Sequence, residues 1–434
     1  FVSSAMLPQD VARSLYSVEE AQERIMDAVK PLPPVELPLL EAWGCVLAAD
    51  VAAAYEIPTF PSSSMDGYAV RAEDIRGASP GSPVSLRKVG EAPIGHPPRD
   101  PVGPGETVWI ATGAPVPEGS DCIAPIEEVE EDGDTIRVLK EFGPGSFVRP
   151  VGQDLRRGDV VVRAGRRLLG PELGVLSSAG YPRALVHPRV RVAVLSTGDE
   201  LVEPGTEAAY GQISDANSYT LWGNLAEAGA VPLRLGIVAD DEDKLRAAIL
   251  AGLAEADVFI TSGGVSVGQR DVVKRILEGL GTIERYKVAM QPGAPQAFGL
   301  VEGKPFFGLP GNPVSVFVSF ELFIRPALLK MMGQHPFSRP QITAVLEEDV
   351  GGPPEKARYA RVLVTGTPGA WRARPTGGAA SHLLATVSRA NGLAVIPPGT
   401  PVAKAGDEVT VSLFRDRRLL DGEFEGFLGQ GGET

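Results

Sequence analysis

Cysteine is almost absent, with two in 434 residues, Cys45 and Cys122. Their spacing fits no metal-binding pattern, and two reduced thiols are expected rather than a lone disulfide. Histidine is nearly as scarce, at four. Positive charge is outweighed, 41 Lys+Arg against 55 Asp+Glu, for a net charge of −14. Without a basic run, the chain lacks the electrostatic footprint of a nucleic-acid binder. The longest apolar stretch, near Val314–Met332, is broken by Glu321 and Arg325, so no membrane span is expected. The first residues carry no basic segment followed by an apolar one, so no secretory signal is expected. Together these absences predict a cytoplasmic protein.

Glycine (51) and proline (39) are abundant, yet together they stay below the roughly 25–30% that marks low complexity. They signal many tight turns. At roughly 100–200 residues per domain, the length suggests two to four domains. Residues 17–30 (SVEEAQERIMDAVK) read as an amphipathic helix, with Val18, Ala21, Ile25 and Val29 at helical spacing. Ser17 and Glu20 predict a capping box, and the prolines of PLPPVELP end the helix. From Tyr55 to Pro150, short β-type runs alternate with Gly/Pro turns, and a helical stretch returns at 170–179.

The region 188–333 alternates strand and helix: RVRVAVL, a helix near 217–228, VPLRLGIV, a helix after Asp240–Asp241, DVFITS, a helix in DVVKRILEGL, FFGLP and a long helix ending near Met332. This pattern predicts a parallel, doubly wound sheet with helices on both faces. After Pro336 short strands resume.

In such a sheet, ligands bind beyond the carboxyl ends of the strands. Three glycine-bearing turns fall there: STGDE (196–200), TSGGVSVG (261–268) and GLPGNP (308–313). Glycine lets the backbone approach a ligand, and a helix N-terminus favours anions. No GxGxxG fingerprint and no Walker A loop occurs, which argues against NAD-dependent and P-loop chemistry. GVSVG (264–268) matches a nucleophile elbow centred on Ser266. Its turn is long for an elbow, and His335 and His382 are the histidines available downstream, so a hydrolase is disfavoured. Asp241 reads as a helix cap. Glu200 and Asp271 stand beside loops built for anions, where bare carboxylates repel the ligand. A bridging Mg²⁺ resolves that conflict, since Mg²⁺ binds one or two carboxylates plus phosphate oxygens.

Seven stretches then add up: SSMDGYAV (63–70), ATGAPVPEGS (111–120), FVRPVGQD (147–154), LSTGDEL (195–201), ISDAN (213–217), TSGGVSVGQRD (261–271) and GLPGNPVS (308–315). In this order the chain resembles the MoeA family of molybdopterin molybdenumtransferases, which includes the C-terminal domain of gephyrin. The resemblance implies a multi-domain α/β plus β fold. Its parts are a bipartite helical domain (14–60 and 151–187), an inserted β domain (61–150), a central three-layer α/β domain (188–335) like those of molybdopterin adenylyltransferases, and a C-terminal β-barrel (336–416). Residues 417–434 are expected to form a flexible tail.

The resemblance also implies an elongated homodimer and a reaction of adenylyl-molybdopterin with molybdate, supported by Mg²⁺, that releases AMP. A molybdopterin adenylyltransferase is an implied partner. The alternative is a largely non-catalytic molybdopterin-binding scaffold. Position by position, the resemblance implies catalytic roles for Asp66, Asp154, Glu200, Asp240 and Asp271, with Glu200 and Asp271 on the metal. It implies substrate binding by Thr112, Arg149, Ser262, Gly263, Gly264, Ser266, Lys287, Pro310, Asn312, Pro313, Arg361 and Ser381. One departure stands out. Many members read K-P-G-K-P shortly after the lysine that Lys287 matches, whereas residues 291–295 here read Q-P-G-A-P. Two cations are replaced by a neutral amide and a methyl group. Each lost charged contact weakens anion binding by about 1.5–3 kcal/mol unless something compensates.

Overall fold

The computed structural model describes residues 15–96, 101–239, 241–263, 275–277 and 279–415. Two compact units emerge, one drawn from Phe1–Val35, Gly44–Ala48 and Val186–Thr434, the other from Glu36–Trp43 and Ala49–Leu185. Among the described residues no helix is long and apolar enough to cross a membrane. Neither Cys45 nor Cys122 forms a disulfide, and both are buried.

The first unit opens with the helix Val18–Ala28. Ser17 Oγ accepts from Glu20 N at 3.1 Å while Glu20 Oε2 accepts from Ser17 N at 2.9 Å, so both halves of the capping box form. Its predicted apolar stripe, Val18, Ala21, Ile25 and Val29, is buried.

The central sheet of this unit has seven strands. Arg191–Thr197 pairs in parallel with Val231–Val238 on one side and Val258–Ser262 on the other. Val258–Ser262 pairs in parallel with Lys304–Leu309. The sheet is not wholly parallel, contrary to the strand–helix alternation read from sequence. Gly281–Val288 and Pro295–Val301 form an antiparallel hairpin around the Q-P-G-A-P turn, and Pro295–Val301 runs antiparallel to Lys304–Leu309. A short turn of this kind joins adjacent antiparallel strands, whereas a parallel pair needs a long crossover. Gly281–Val288 therefore points the same way as the parallel strands, and the turn lies at their carboxyl edge.

The period-2 alternation of strands places successive side chains on opposite faces. Val192, Val194, Val258, Ile260, Phe307 and Leu309 join one core, with the helices Val18–Ala28, Asn217–Glu227, Pro313–Ser319 and Arg325–Met331. Ala193, Leu195, Phe259 and Phe306 join the other, against the helix Glu242–Glu255. This is a three-layer α/β domain. One turn of π-helix, Phe320–Ile324, separates the two C-terminal helical segments.

The C-terminal strands close a five-stranded barrel, in which Ala357–Thr365 pairs with both Arg372–Pro375 and Gly392–Ile396, and Gln341–Leu346 and Glu408–Leu413 complete the ring. Phe414 meets Phe317 of the α/β layer edge-on at 4.9 Å, within the same core.

The second unit contains a six-stranded sheet in the order Val129–Asp132, Thr135–Val138, Val84–Ala92, Glu106–Ile110, Gly67–Val70, Cys122–Pro125. Gly67, of the SMDGYAV stretch, is required by close approach, since any Cβ there would overlap the Ala124 carbonyl oxygen. The same unit holds the helix Gly170–Ser178.

A carboxyl-edge site of glycine turns

Thr197, Ser262 and Leu309 end three adjacent parallel strands, so the turns STGDE, TSGG and GLPGNP emerge side by side. Ser262 is buried, at 2% exposure. Gly263 has φ +92°, a left-handed conformation that disfavours a side chain, and a Cβ there would lie 2.9 Å from the Thr197 carbonyl oxygen. Its N–H donates to Leu309 O at 3.2 Å, which ties two of the turns together. The remaining residues of the second turn, Gly264 and Ser266 among them, lie outside the described residues, as do Asp240 and Asp271.

In the GLPGNP turn, Pro310 is buried and Asn312 exposed. Pro313 takes the first helical turn, where its missing donor is not needed. The next donor, Val314 N, is bonded to the Ser381 carbonyl at 3.0 Å. Ser381 thus reaches the turn through its main chain. Arg361 organises that approach: it is 4% exposed, its Nε donates to Thr386 Oγ1 at 3.1 Å, and its Nη2 donates to Gly378 O at 2.5 Å. Burial lowers the Arg361 pKa from its ordinary value.

Asn217, from the ISDAN stretch, donates from Nδ2 to Gly311 O at 2.7 Å. Its Oδ1 is buried, and so is Thr261 Oγ1; neither has a hydrogen-bond partner among the described residues. Buried polar atoms in folded proteins ordinarily find a partner in protein, water or ligand.

Glu200 is exposed, and its carboxylate folds back on its own turn, so that a Cβ at Gly198 would lie 2.5 Å from Oε2. Its carbonyl accepts from Ile213 N at 2.8 Å. The oxygen chemistry of Glu200 suits Mg²⁺, which needs no cage of protein ligands. Among the described residues no group of three or more His, Cys, Asp or Glu side chains is placed to hold a metal. Asp241 is an ordinary cap, accepting from Lys244 N at 3.0 Å.

Sequence reasoning passed over the network behind this edge. Asp215, at 1% exposure, accepts from Ser218 N (3.1 Å), Ser218 Oγ (2.6 Å) and Arg234 Nη2 (3.3 Å). Arg234 Nη2 also meets both Glu203 carboxylate oxygens at 2.8 Å, and its guanidinium lies 4.6 Å from the Tyr219 ring centre. The network clamps the segment between Glu200 and the helix Asn217–Glu227. The signal available was the Asp in ISDAN three residues before Ser218, an N-capping spacing.

Burial pushes the Asp215 carboxyl upward, but the hydrogen bonds from Ser218 and Arg234 outweigh it and hold the group below the usual carboxylate range. A depressed folded-state pKa stabilises above the unfolded value of about 3.9, and that stabilisation is lost as pH falls through the folded pKa. The stability gap between wild type and Asp215→Asn is therefore expected to be constant from neutral pH to about pH 5 and to shrink below about pH 4. Urea unfolding at stepped pH measures it, and a gap that widens in acid contradicts the assignment.

Lys287 is exposed at the carboxyl end of Gly281–Val288. The other cationic candidate, Arg149, belongs to the second unit and lines a cleft of about 470 Å³ with Ile57, Pro58, Ser62, Gln153 and Asp154. The structure so brings Arg149 and Asp154 together. Asp66 pairs instead with Thr112, whose N and Oγ1 donate to Asp66 Oδ1 at 2.7 and 2.9 Å. The Thr112 N–H, then its hydroxyl, hold the Asp66 carboxyl below its ordinary pKa.

Three family models match successive stretches: the MoeA N-terminal region (domain I and II) over residues 16–180, a probable molybdopterin binding domain over 193–330, and the MoeA C-terminal region (domain IV) over 343–414. The chain is 38% identical over 401 residues to molybdopterin molybdenumtransferase 2 of Mycobacterium tuberculosis, covering 91% of this chain and 98% of that protein. It is 33% identical over 405 residues to molybdopterin molybdenumtransferase of Haemophilus influenzae, covering 92% and 99%. Among solved structures, the molybdopterin biosynthesis MoeA protein of Pyrococcus horikosii superposes with a TM-score of 0.75 at 33% identity, over 93% of this chain and 100% of that one. Matched over more than nine-tenths of its length by such relatives, and carrying the fold of a MoeA protein, this chain belongs to the MoeA family of molybdopterin molybdenumtransferases.

Proposed function

We propose that the protein takes adenylyl-molybdopterin and molybdate, hydrolyses the phosphoanhydride with water to release AMP, and lets the two dithiolene thiols displace molybdate oxygen as water, which leaves molybdenum on molybdopterin. The observation that carries this reading is the carboxyl edge itself: three adjacent turns, two of them tied by a hydrogen bond, a glycine that disfavours any side chain, and buried polar atoms of Asn217 and Thr261 without a partner among the described residues. Within the first unit Lys287 is the cation assigned to phosphate; within the second, Arg149 has the same assignment, an arginine being suited by its planar fork. Ser262 and Gly263 bring the backbone to the pterin side, Gly264 and Ser266 are assigned to the same ligand, and Pro310, Asn312, Pro313, Arg361 and Ser381 are assigned to the molybdate side. Asp66, Asp154 and Asp240 are assigned catalytic roles, and Thr112 orients Asp66 within the second unit.

Glu200 and Asp271 are the residues that would hold Mg²⁺, which would neutralise charge on the scissile phosphoanhydride. Fixed charges and dipoles aimed at a reacting phosphate are the usual largest catalytic contribution. The proposal extends to a cytoplasmic homodimer that receives its substrate from a molybdopterin adenylyltransferase.

The test mixes purified protein with adenylyl-molybdopterin, molybdate and Mg²⁺ and follows AMP by chromatography. AMP release that depends on molybdate is expected. Tight molybdopterin binding without AMP release replaces the reading with a scaffold role.

A further inference from the structure

One buried side chain joins the hairpin end at residues 291–295 to the helix that follows the GLPGNP turn. Gln296, in the strand Pro295–Val301, is 5% exposed. Its amide nitrogen has two protons to give. It donates to the Gly293 carbonyl at 2.6 Å, within the hairpin end, and to Ser319 Oγ at 2.6 Å. Ser319 is fully buried and is the last residue of the helix Pro313–Ser319, which opens at the GLPGNP turn. In the strand register Gln296 stands opposite Tyr286, which is also buried, and its neighbour Pro295 stands opposite Lys287.

A second contact seats the same hairpin end on the same helix. Gly293 has φ +96°, and a Cβ there would lie 3.0 Å from Ser319 Oγ and 3.4 Å from Ser315 O. Ser315 is itself buried. Glycine therefore lets the backbone at 293 come down on the helix, and Gln296 ties it there. The hairpin's own bond, Val288 N to Ala294 O at 2.7 Å, closes the end without reaching the helix. An amide bridge in buried surroundings is strong, and removing it leaves an acceptor without its donor on each side.

We propose that Gln296 is a positioning residue: through Gly293 and Ser319 it fixes the hairpin end, with Lys287 beside it, against the helix that carries the GLPGNP turn. The link rests on the contacts above; its consequence for AMP release rests on the transfer reading.

Hydrogen exchange of the whole protein, read by mass spectrometry, tests the link without any substrate. Gln296→Leu keeps apolar bulk and loses both donors. Exchange in this variant is expected to rise about tenfold in a peptide spanning 286–297 and also in one spanning 309–318. The second peptide holds the amides of Val314 and Val316, bonded to the carbonyls of Ser381 and Asn312. A rise confined to the first peptide overturns the proposal, because a local packing role loosens only the hairpin itself. If circular dichroism shows Gln296→Leu to be unfolded, Ser319→Ala decides, since it removes one acceptor and leaves the Gly293 bond. A smaller rise in the 286–297 peptide is then expected, and no rise there overturns the proposal.

Kinetics give the second readout, at a temperature where the variants stay folded. In Gln296→Leu, kcat/KM for AMP release is expected to fall about tenfold. Ser319→Ala is expected to add little in that background, because both changes break one link. Wild-type kcat/KM in folded Gln296→Leu overturns the positioning role. A wild type that releases no AMP defeats the transfer reading, and the exchange result then decides this inference alone.

Discussion

Arg234→Ala is expected to destabilise the protein by about 3 kcal/mol and to reduce AMP release with it. Removing the guanidinium leaves Asp215 at 1% exposure with its charge met by neutral donors such as Ser218 and by no cation among its hydrogen-bond partners. It also frees Glu203, which Arg234 holds through both carboxylate oxygens. Breaking one side of a buried pair costs more than the pair ever contributed, because the remaining ion stays desolvated. Arg234→Lys is expected to rescue little, since an ammonium cannot reproduce a fork that serves Glu203, Asp215 and the Ser218 hydroxyl together. Urea unfolding measures the loss. Asp215→Asn combined with Arg234→Ala is expected to cost clearly less than the two single changes added, the mark of coupled neighbours. Additive costs remove Arg234 from the network.

Glu200→Gln is expected to behave in the opposite way, leaving stability unchanged while AMP release falls about a hundredfold, the scale of losing one electrostatic contact to a transition state. The Glu200 side chain is exposed, and the turn is held through its main-chain carbonyl, which glutamine keeps. A carboxamide is a poor Mg²⁺ ligand beside a carboxylate, so the Mg²⁺ concentration for half-maximal rate is expected to rise. Asp241→Ala is the control. It removes a cap bonded to Lys244 N and is expected to cost about 1 kcal/mol of stability with AMP release intact. If Glu200→Gln keeps its rate and its Mg²⁺ dependence, Glu200 is not a metal ligand.

These contrasts show why the site was only partly readable beforehand. The glycine turns were legible, because a turn writes its requirement into one or two adjacent residues. Gly263, strained for any other residue, sits where TSGG put it. The Q-P-G-A-P turn was visible too, but not the strand partner of Gln291, since Arg358 lies 67 positions away and becomes a neighbour through a strand pairing. The hairpin Gly281–Val288 with Pro295–Val301 was missed as sheet for a related reason: its order in the sheet depends on a reversal that strand–helix alternation does not encode.

By itself the sequence determined what depends on near neighbours. The Ser17–Glu20 capping box, the buried stripe of Val18–Ala28, the Asp241 cap and the two-faced strands all follow from spacings of two to four residues, where backbone geometry dictates which side chains meet. The tertiary structure alone decided what depends on distant segments arriving together: Arg234 on Asp215 and Glu203, Ser381 on the helix at Pro313, Asn217 on Gly311, and Gln291 beside Arg358. Those contacts exist because one sheet gathers its strand ends along one edge and the barrel packs onto the same core, which brings residues far apart in the chain within hydrogen-bonding reach.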